Sequence, residues 1–214
     1  MKIAVITANL GWFETVKLNI AQSIEADDFY RFTDDNFPPR FNSLTPRLQA
    51  RIPKMFGWQM IPGYDVYLWV DSSCILSDPD SIKWFVDQLG DAEIAVFKHP
   101  NRNSIQEEAD YLKHRLKIKC PYITPRYKNE LIDEQLKEIK EDPNFIDDLL
   151  FASTALIYRP TDKIKRMMRE WWYFTSRYHS IDQLALPYVL FNNAVDFNII
   201  PDKYMKCKYL KYVR

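Results

Sequence analysis

Asp71 and Ser73 are the first pair in this sequence whose types and spacing suggest chemistry. They close the apolar run YDVYLWV at residues 64–70. In extended backbone, residues i and i+2 point the same way, so a carboxylate and a hydroxyl converge on one point. That is enough to anchor a hard divalent ion whose other ligands are phosphate oxygens and water. Such an ion neutralises charge growing on a departing diphosphate. The plainer alternative is a strand-end aspartate that caps the next turn. Arg47, Arg51 and Lys54, with Trp58, recur at spacings of three and four and share one helical face. Arginine forks grip phosphates bidentately and lysine adds a point charge; a solvated surface stripe is the competing account. Lys17 and Arg40 are further cations that could lie near. Asp182 and Gln183, in Ser180-Ile181-Asp182-Gln183, precede the apolar Leu184-Ala185-Leu186. A carboxylate held there could bind sugar hydroxyls, orient an acceptor or act on the reacting carbon, or serve only as a helix cap. His99 follows a buried run and could ligate metal, donate to phosphate or hold structure. Glu107 and Glu108 open the helix after it and could simply complement its dipole.

The elements that must position these groups alternate between strand and helix. Residues 2–8 (KIAVITA) read as a strand buried on both faces, followed by a turn at 9–13. Strands are expected at 28–33, 64–70, 94–97, 149–158 and 195–200. A helix over 46–58 takes Thr45 as N-cap and Pro46 at its first position. Further helices are expected at about 78–89, 104–119, 125–141, 161–178 and 181–191, the last broken or bent at Pro187. The order predicts a three-layer α/β sandwich with a mostly parallel central sheet. Such sheets bind ligands beyond the carboxyl ends of their strands. Thr7-Ala8-Asn9, Thr33-Asp34-Asp35, Asp71-Ser72-Ser73 and Lys98-His99 all fall at those ends.

Composition narrows the function. Lys plus Arg and Asp plus Glu both total 29, so a strongly basic nucleic-acid binder is not expected. Cys74, Cys120 and Cys207 form no CxxC pair, which argues against a zinc site or disulfide scaffold and for a reducing, cytoplasmic setting. No apolar run is long enough to span a membrane. No GxxxxGK[ST], GxGxxG after a strand, GxSxG or HExxH is present.

With these residues in order, the chain resembles nucleotide-diphosphosugar glycosyltransferases of the GT-A fold. More narrowly, it is similar to a glycosyltransferase-like domain family once catalogued as of unknown function, and to glycosyltransferase domains that modify viral capsids. That family has a basic helix, then Trp-x-Asp, then His-Pro-x-Arg before a Glu-rich helix, then Ser-x-Arg-Asp-Gln. Here the counterparts are Arg47/Arg51/Lys54, Trp69-Val70-Asp71, His99-Pro100-Asn101-Arg102 with Glu107-Glu108, and Ser180-Ile181-Asp182-Gln183. The resemblance spans roughly residues 2–200. It implies that Asp71 and Ser73 stand at the Asp-x-Asp motif that binds Mn²⁺ (or Mg²⁺) and the donor diphosphate, with Ser73 replacing the second carboxylate. It implies that Thr7, Ala8 and Asn9 meet the nucleotide, that Asp34 or Asp35 lies near base and ribose, and that Asp182 and Gln183 are the catalytic pair near sugar and acceptor. Ile181 stands where the motif has arginine.

The expected function is metal-dependent transfer of a sugar, by default a hexose such as glucose from a UDP-sugar, to a glycan or glycoprotein acceptor. Ser72 and His99 join the donor-binding set. A nucleotidyltransferase, or a non-catalytic sugar- or nucleotide-binding module, is the alternative. Residues 1–202 are expected to form the catalytic domain. Residues 203–214 form a basic segment that packs on it, touches a membrane surface, or links to a further domain of a longer protein.

Overall fold

The structure, a computed structural model, describes residues 1–11, 19–24, 26 and 28–213. Lys17, the Trp12-Phe13 part of the expected turn and Arg214 lie outside the described residues. A six-stranded sheet is built from β1 (Ile3–Asn9), β2 (Asp28–Thr33), β3 (Val66–Val70), β5 (Ile94–Lys98), β6 (Phe151–Tyr158) and β7 (Phe197–Ile200). β4 (Cys74–Leu76) stands apart from it. The spatial order is β2-β1-β3-β6-β5-β7. β1 runs parallel to β2 and β3, and β5 runs parallel to β7. β6 is antiparallel to both of its neighbours, β3 and β5. The sheet is therefore mostly parallel, and β1, β2, β3, β5 and β7 all end on one edge.

Both faces of the sheet are covered, as the lack of polar alternation in β3 requires; all five of its residues are buried. On one face Ala4, Ile6, Ala8, Tyr67 and Trp69 pack against α2 (Arg51–Met60), α4 (Ile105–Lys117), α6 (Ile132–Lys140), α7 (Asp162–Arg177) and α8 (Leu186–Asn192). On the other, Ile3, Val5, Val66, Leu68 and Val70 pack against α3 (Ser81–Leu89) and the C-terminal segment.

Three helices differ from the sequence expectation, each for a local reason. The helix at 46–58 is two pieces, α1 (Pro46–Gln49) and α2, joined at Ala50. Pro53 has no N–H to give the Gln49 carbonyl, and its ring crowds that carbonyl. The stretch at 125–141 divides into α5 (Thr124–Tyr127) and α6, because Lys128 is extended and Asn129 takes φ 69°. The stretch at 181–191 begins as a 3-10 turn over Asp182–Leu184, and α8 follows with Pro187 in its first turn rather than at a break.

The basic C-terminal segment carries β8 (Leu210–Tyr212), which pairs antiparallel with β4. Val213 N–H donates to the Ser73 carbonyl at 2.8 Å, and Lys208 Nζ lies 2.8 Å from the Asp78 carboxylate. No helix among the described residues is long and apolar enough to cross a membrane.

Candidate functional site

A cavity of about 550 Å³ opens at the carboxyl edge of β1 and β3. Ala8, Asn9 and Gly11 form its β1 side. Gly11 has φ +78°, and a Cβ on it would stand 2.8 Å from Pro46, so the turn out of β1 needs glycine both for its backbone and for closeness to α1. Asp71, Ser72, Ser73 and Thr154 line the β3/β6 side; Asp71 N–H donates to the Thr154 carbonyl at 2.8 Å. Arg47 and Arg51 project from α1 and α2, and Arg126 faces in from α5. Tyr122, Tyr204, Tyr212 and Trp69 contribute aromatic surface.

Each arginine is held from behind. Arg47 donates to the Tyr127 hydroxyl at 2.7 Å and lies over that ring at 5.2 Å. Tyr127 in turn stacks on His179 at 5.2 Å. Arg126 donates to the Tyr122 carbonyl at 2.7 Å, with its guanidinium 3.8 Å from the Tyr122 ring centroid. Arg51 Nε is 3.2 Å from Asp182 Oδ2, and nearby Asp182 and Asp71 raise its pKa against the opposing effect of burial.

Beneath the floor lies a buried ion network. Lys54 Nζ, on a fully buried side chain, is 2.6 Å from both Asp182 Oδ2 and the Ser153 carbonyl. It sits between the indoles of Trp69 and Trp171, at 5.6 and 5.5 Å. Ser153 donates to Asp182 Oδ1 at 2.8 Å, and Trp171 Nε1 donates to the Asp182 carbonyl at 2.7 Å. Burial alone would raise the Asp182 pKa, but Arg51 and Lys54 outweigh it and lower it to about 2. The network reaches the cavity through Asp71, whose Oδ1 accepts from Trp69 Nε1 at 2.7 Å and lies 3.8 Å from Lys54 Nζ.

Of the expected site residues, the structure brings Ala8, Asn9, Arg47, Arg51, Asp71, Ser72 and Ser73 to one cavity wall. It does not bring the others there. Lys54 is turned into the core, so its expected phosphate contact is not what its geometry offers. Asp182 is 3% exposed, with both oxygens engaged by protein groups, so it lies in the network beneath the cavity, against Arg51 and Lys54, rather than in the cavity wall. Gln183 donates to Glu108 Oε1 at 2.7 Å, and Glu108 also takes Arg102. His99 is buried and its Nδ1 accepts the backbone N–H groups of Asn101 and Arg102; burial, then the Arg102 charge, lower its pKa to about 4, so the ring is neutral and structural. Thr7 lies on the opposite sheet face, with Ile3 and Val5. Asp34 Oδ1 accepts from Gly11 N–H at 2.7 Å and so shapes the wall rather than lining it, while Asp35 is exposed in the adjoining turn.

Arg126, Tyr204 and Tyr212 were not anticipated as site residues. The only signal was local: Tyr122, Pro125, Arg126 and Tyr127 interrupt a stretch whose other charges mix as on a solvated helix.

The expected Mn²⁺ or Mg²⁺ fits this donor set poorly. Asp71 is the single carboxylate in the wall among the described residues, and no three His, Cys, Asp or Glu come together among them. One oxygen of Asp71 is already committed to Trp69 and faces Lys54.

The sequence model of the TOD1/MUCI70 glycosyltransferase-like domain matches residues 41–214, a span that includes every arginine and carboxylate of the cavity wall described above. The chain belongs to the TOD1/MUCI70 family. The match also takes in the C-terminal segment with β8. No curated protein matches the chain. Among solved structures, this TOD1/MUCI70 domain is similar to an apo form of the bifunctional glycosyltransferase WbbM, at 11% identity and a TM-score of 0.46, over 94% of this chain but 39% of that one. It is similar to a glycosyltransferase involved in glycosylation of the major capsid of PBCV-1, at 8% identity and a TM-score of 0.48, over 94% and 81% of the two chains. It is also similar to mouse xyloside xylosyltransferase 1 in its apo form, at 10% identity and a TM-score of 0.46, over 93% and 84%.

Proposed function

We propose that this TOD1/MUCI70 domain transfers a sugar from a nucleoside-diphosphate donor, by default a UDP-hexose such as UDP-glucose, to a hydroxyl of a glycan or glycoprotein. The observation that supports the reading is the cavity itself. Three guanidinium groups and one carboxylate surround a space at the carboxyl edge of a parallel sheet, among the described residues. About 550 Å³ is within the usual range for a small-molecule site. Guanidinium forks match the oxygens of a diphosphate.

In the reaction, the bond from the anomeric carbon to the diphosphate oxygen breaks and its electron pair stays on that oxygen. The acceptor oxygen forms the new glycosidic bond and its proton is released. Negative charge therefore grows on the leaving diphosphate. Arg47, Arg51 and Arg126 are fixed by their partners before the charge appears, so little reorganisation is needed to stabilise it. The rings of Tyr122, Tyr204 and Tyr212 offer apolar faces with polar edges to the sugar or the base.

The test is a panel of UDP-hexoses incubated with the protein and candidate glycan acceptors, read by UDP release. The expected result is acceptor-stimulated release from at least one donor. Binding of donors without any release would favour the binding-module alternative. Absence of both binding and release would overturn the reading.

A further inference from the structure

The C-terminal side of the cavity wall leads to a more specific statement, which rests on the donor site proposed above. We propose that the segment 204–213 forms the subsite for the sugar of the donor, with Tyr204 as a residue that selects for that sugar. The segment is packed into the domain. β8 pairs with β4 in the register Cys74–Tyr212 and Leu76–Leu210. Ser77 Oγ donates to the Lys208 carbonyl at 2.7 Å, and the Tyr209 ring stacks on Trp84 at 4.8 Å. Leu210 and Tyr212 share one side of β8, so the residue that fills the core also fixes the one that reaches the cavity wall. Tyr204 is half-buried in the turn before β8, with its ring edge-on to Phe97 at 6.4 Å.

The chemistry of this side suits a sugar. Asp71, Ser72, Ser73 and Thr154 line the cavity together with the two tyrosines. A hexose presents several O–H donors around a C–H face. Carboxylate and hydroxyl oxygens accept from the donors, and tyrosine rings cover the C–H face while their hydroxyls stay polar. The edge of uracil instead presents two carbonyl acceptors around a single N–H, and a carboxylate beside it would meet an acceptor. Burial, then the neighbouring Tyr212, Cys74 and Asp71, raise the Tyr204 pKa against the Arg102 charge, so the phenol keeps its proton and can donate as well as accept.

A sugar subsite and a nucleotide subsite respond differently to loss of that hydroxyl. UDP, UDP-glucose, UDP-galactose and UDP-N-acetylglucosamine are titrated by calorimetry with Mn²⁺ present, and the Kd of each UDP-sugar is divided by that of UDP. Tyr204→Phe keeps the ring against Phe97 and removes the hydroxyl. It should leave the melting temperature and the UDP affinity unchanged, and raise the ratio about fivefold for the sugar nucleotide that wild type binds most tightly. An unchanged ratio would overturn the proposal and leave the diphosphate site standing. So would equal weakening of UDP and the UDP-sugar, which would assign Tyr204 to the base or to the fold. Binding of UDP by wild type with none of the three UDP-sugars bound would overturn it as well. No binding of UDP or of any UDP-sugar would remove the donor site and this proposal together.

Discussion

Asp182 shows how much a single buried carboxylate controls here. Its two oxygens join Ser153, Lys54 and Arg51, so one side chain both neutralises a fully buried ammonium and steadies a guanidinium in the cavity wall. Removing one partner of a buried ion pair leaves the other charge stranded, which costs roughly 3–5 kcal/mol. Asp182→Asn should therefore lower unfolding stability by about that amount in urea titrations, and weaken UDP binding along with it. Unchanged stability with selectively lost turnover would instead put Asp182 in contact with the substrate. At this scale the sequence conveyed direction better than depth. The spacing of Arg47, Arg51 and Lys54 puts them on one side of a single helix, whereas the structure divides them between α1 and α2, and spacing does not say which of the three points past the cavity into the core. The apolar run after Asp182 shows burial, whereas the cation it answers lies far away in sequence. Arg126, Tyr204 and Tyr212 come from segments that only the chain fold brings to Asp71.

At the scale of elements, α2 is the piece on which the site depends, because it carries Arg51 on one turn and Lys54 on the next. Its closeness to β1 is set by Gly57. A Cβ there would stand 2.3 Å from Ile6 Cδ1, and Ile6 is itself buried in the core. Gly57→Ala relieves the intrinsic helix cost of glycine by ~1 kcal/mol but overpacks the interface, at ~1–3 kcal/mol. The expected net outcome is a lower denaturation midpoint, partly restored by Ile6→Val, which removes the clashing methyl. A midpoint that rises on Gly57→Ala would mean that the Ile6 side chain moves aside at less cost than the glycine imposes on the helix. The elements themselves were largely readable: β1 and β3 from uninterrupted apolar runs, α1 from Thr45 and Pro46. The β4/β8 pair was not, because three-residue strands with no partner in the neighbouring sequence leave no periodic pattern. The splits at Ala50 and at Lys128-Asn129 were obscured by charge patterns that continue across them.

For the whole molecule, the sheet topology gathers the carboxyl ends of five strands on one edge and leaves β6, entering from the opposite direction, to place Ser153 and Thr154 beside Asp71. The alternation of strands and helices makes the layered class legible, but a single antiparallel strand inside a parallel sheet has no distinct residue signature when both faces are buried. That strand matters, since it supplies the Ser153 carbonyl and hydroxyl to the ion network under the cavity. The cavity, the arginines and the network support the proposal that this edge of the sheet binds the diphosphate of a sugar nucleotide. The most direct measurement is calorimetric titration of UDP and of uridine into the wild-type protein and into Arg51→Ala. Loss of a charged hydrogen bond to phosphate costs on the order of 1.5–3 kcal/mol. The account predicts that wild type binds UDP much more tightly than uridine, and that Arg51→Ala weakens UDP by ~10-fold or more while leaving uridine nearly unchanged. Equal affinity of the wild type for UDP and uridine, or equal weakening of both ligands in a folded Arg51→Ala protein, would contradict it.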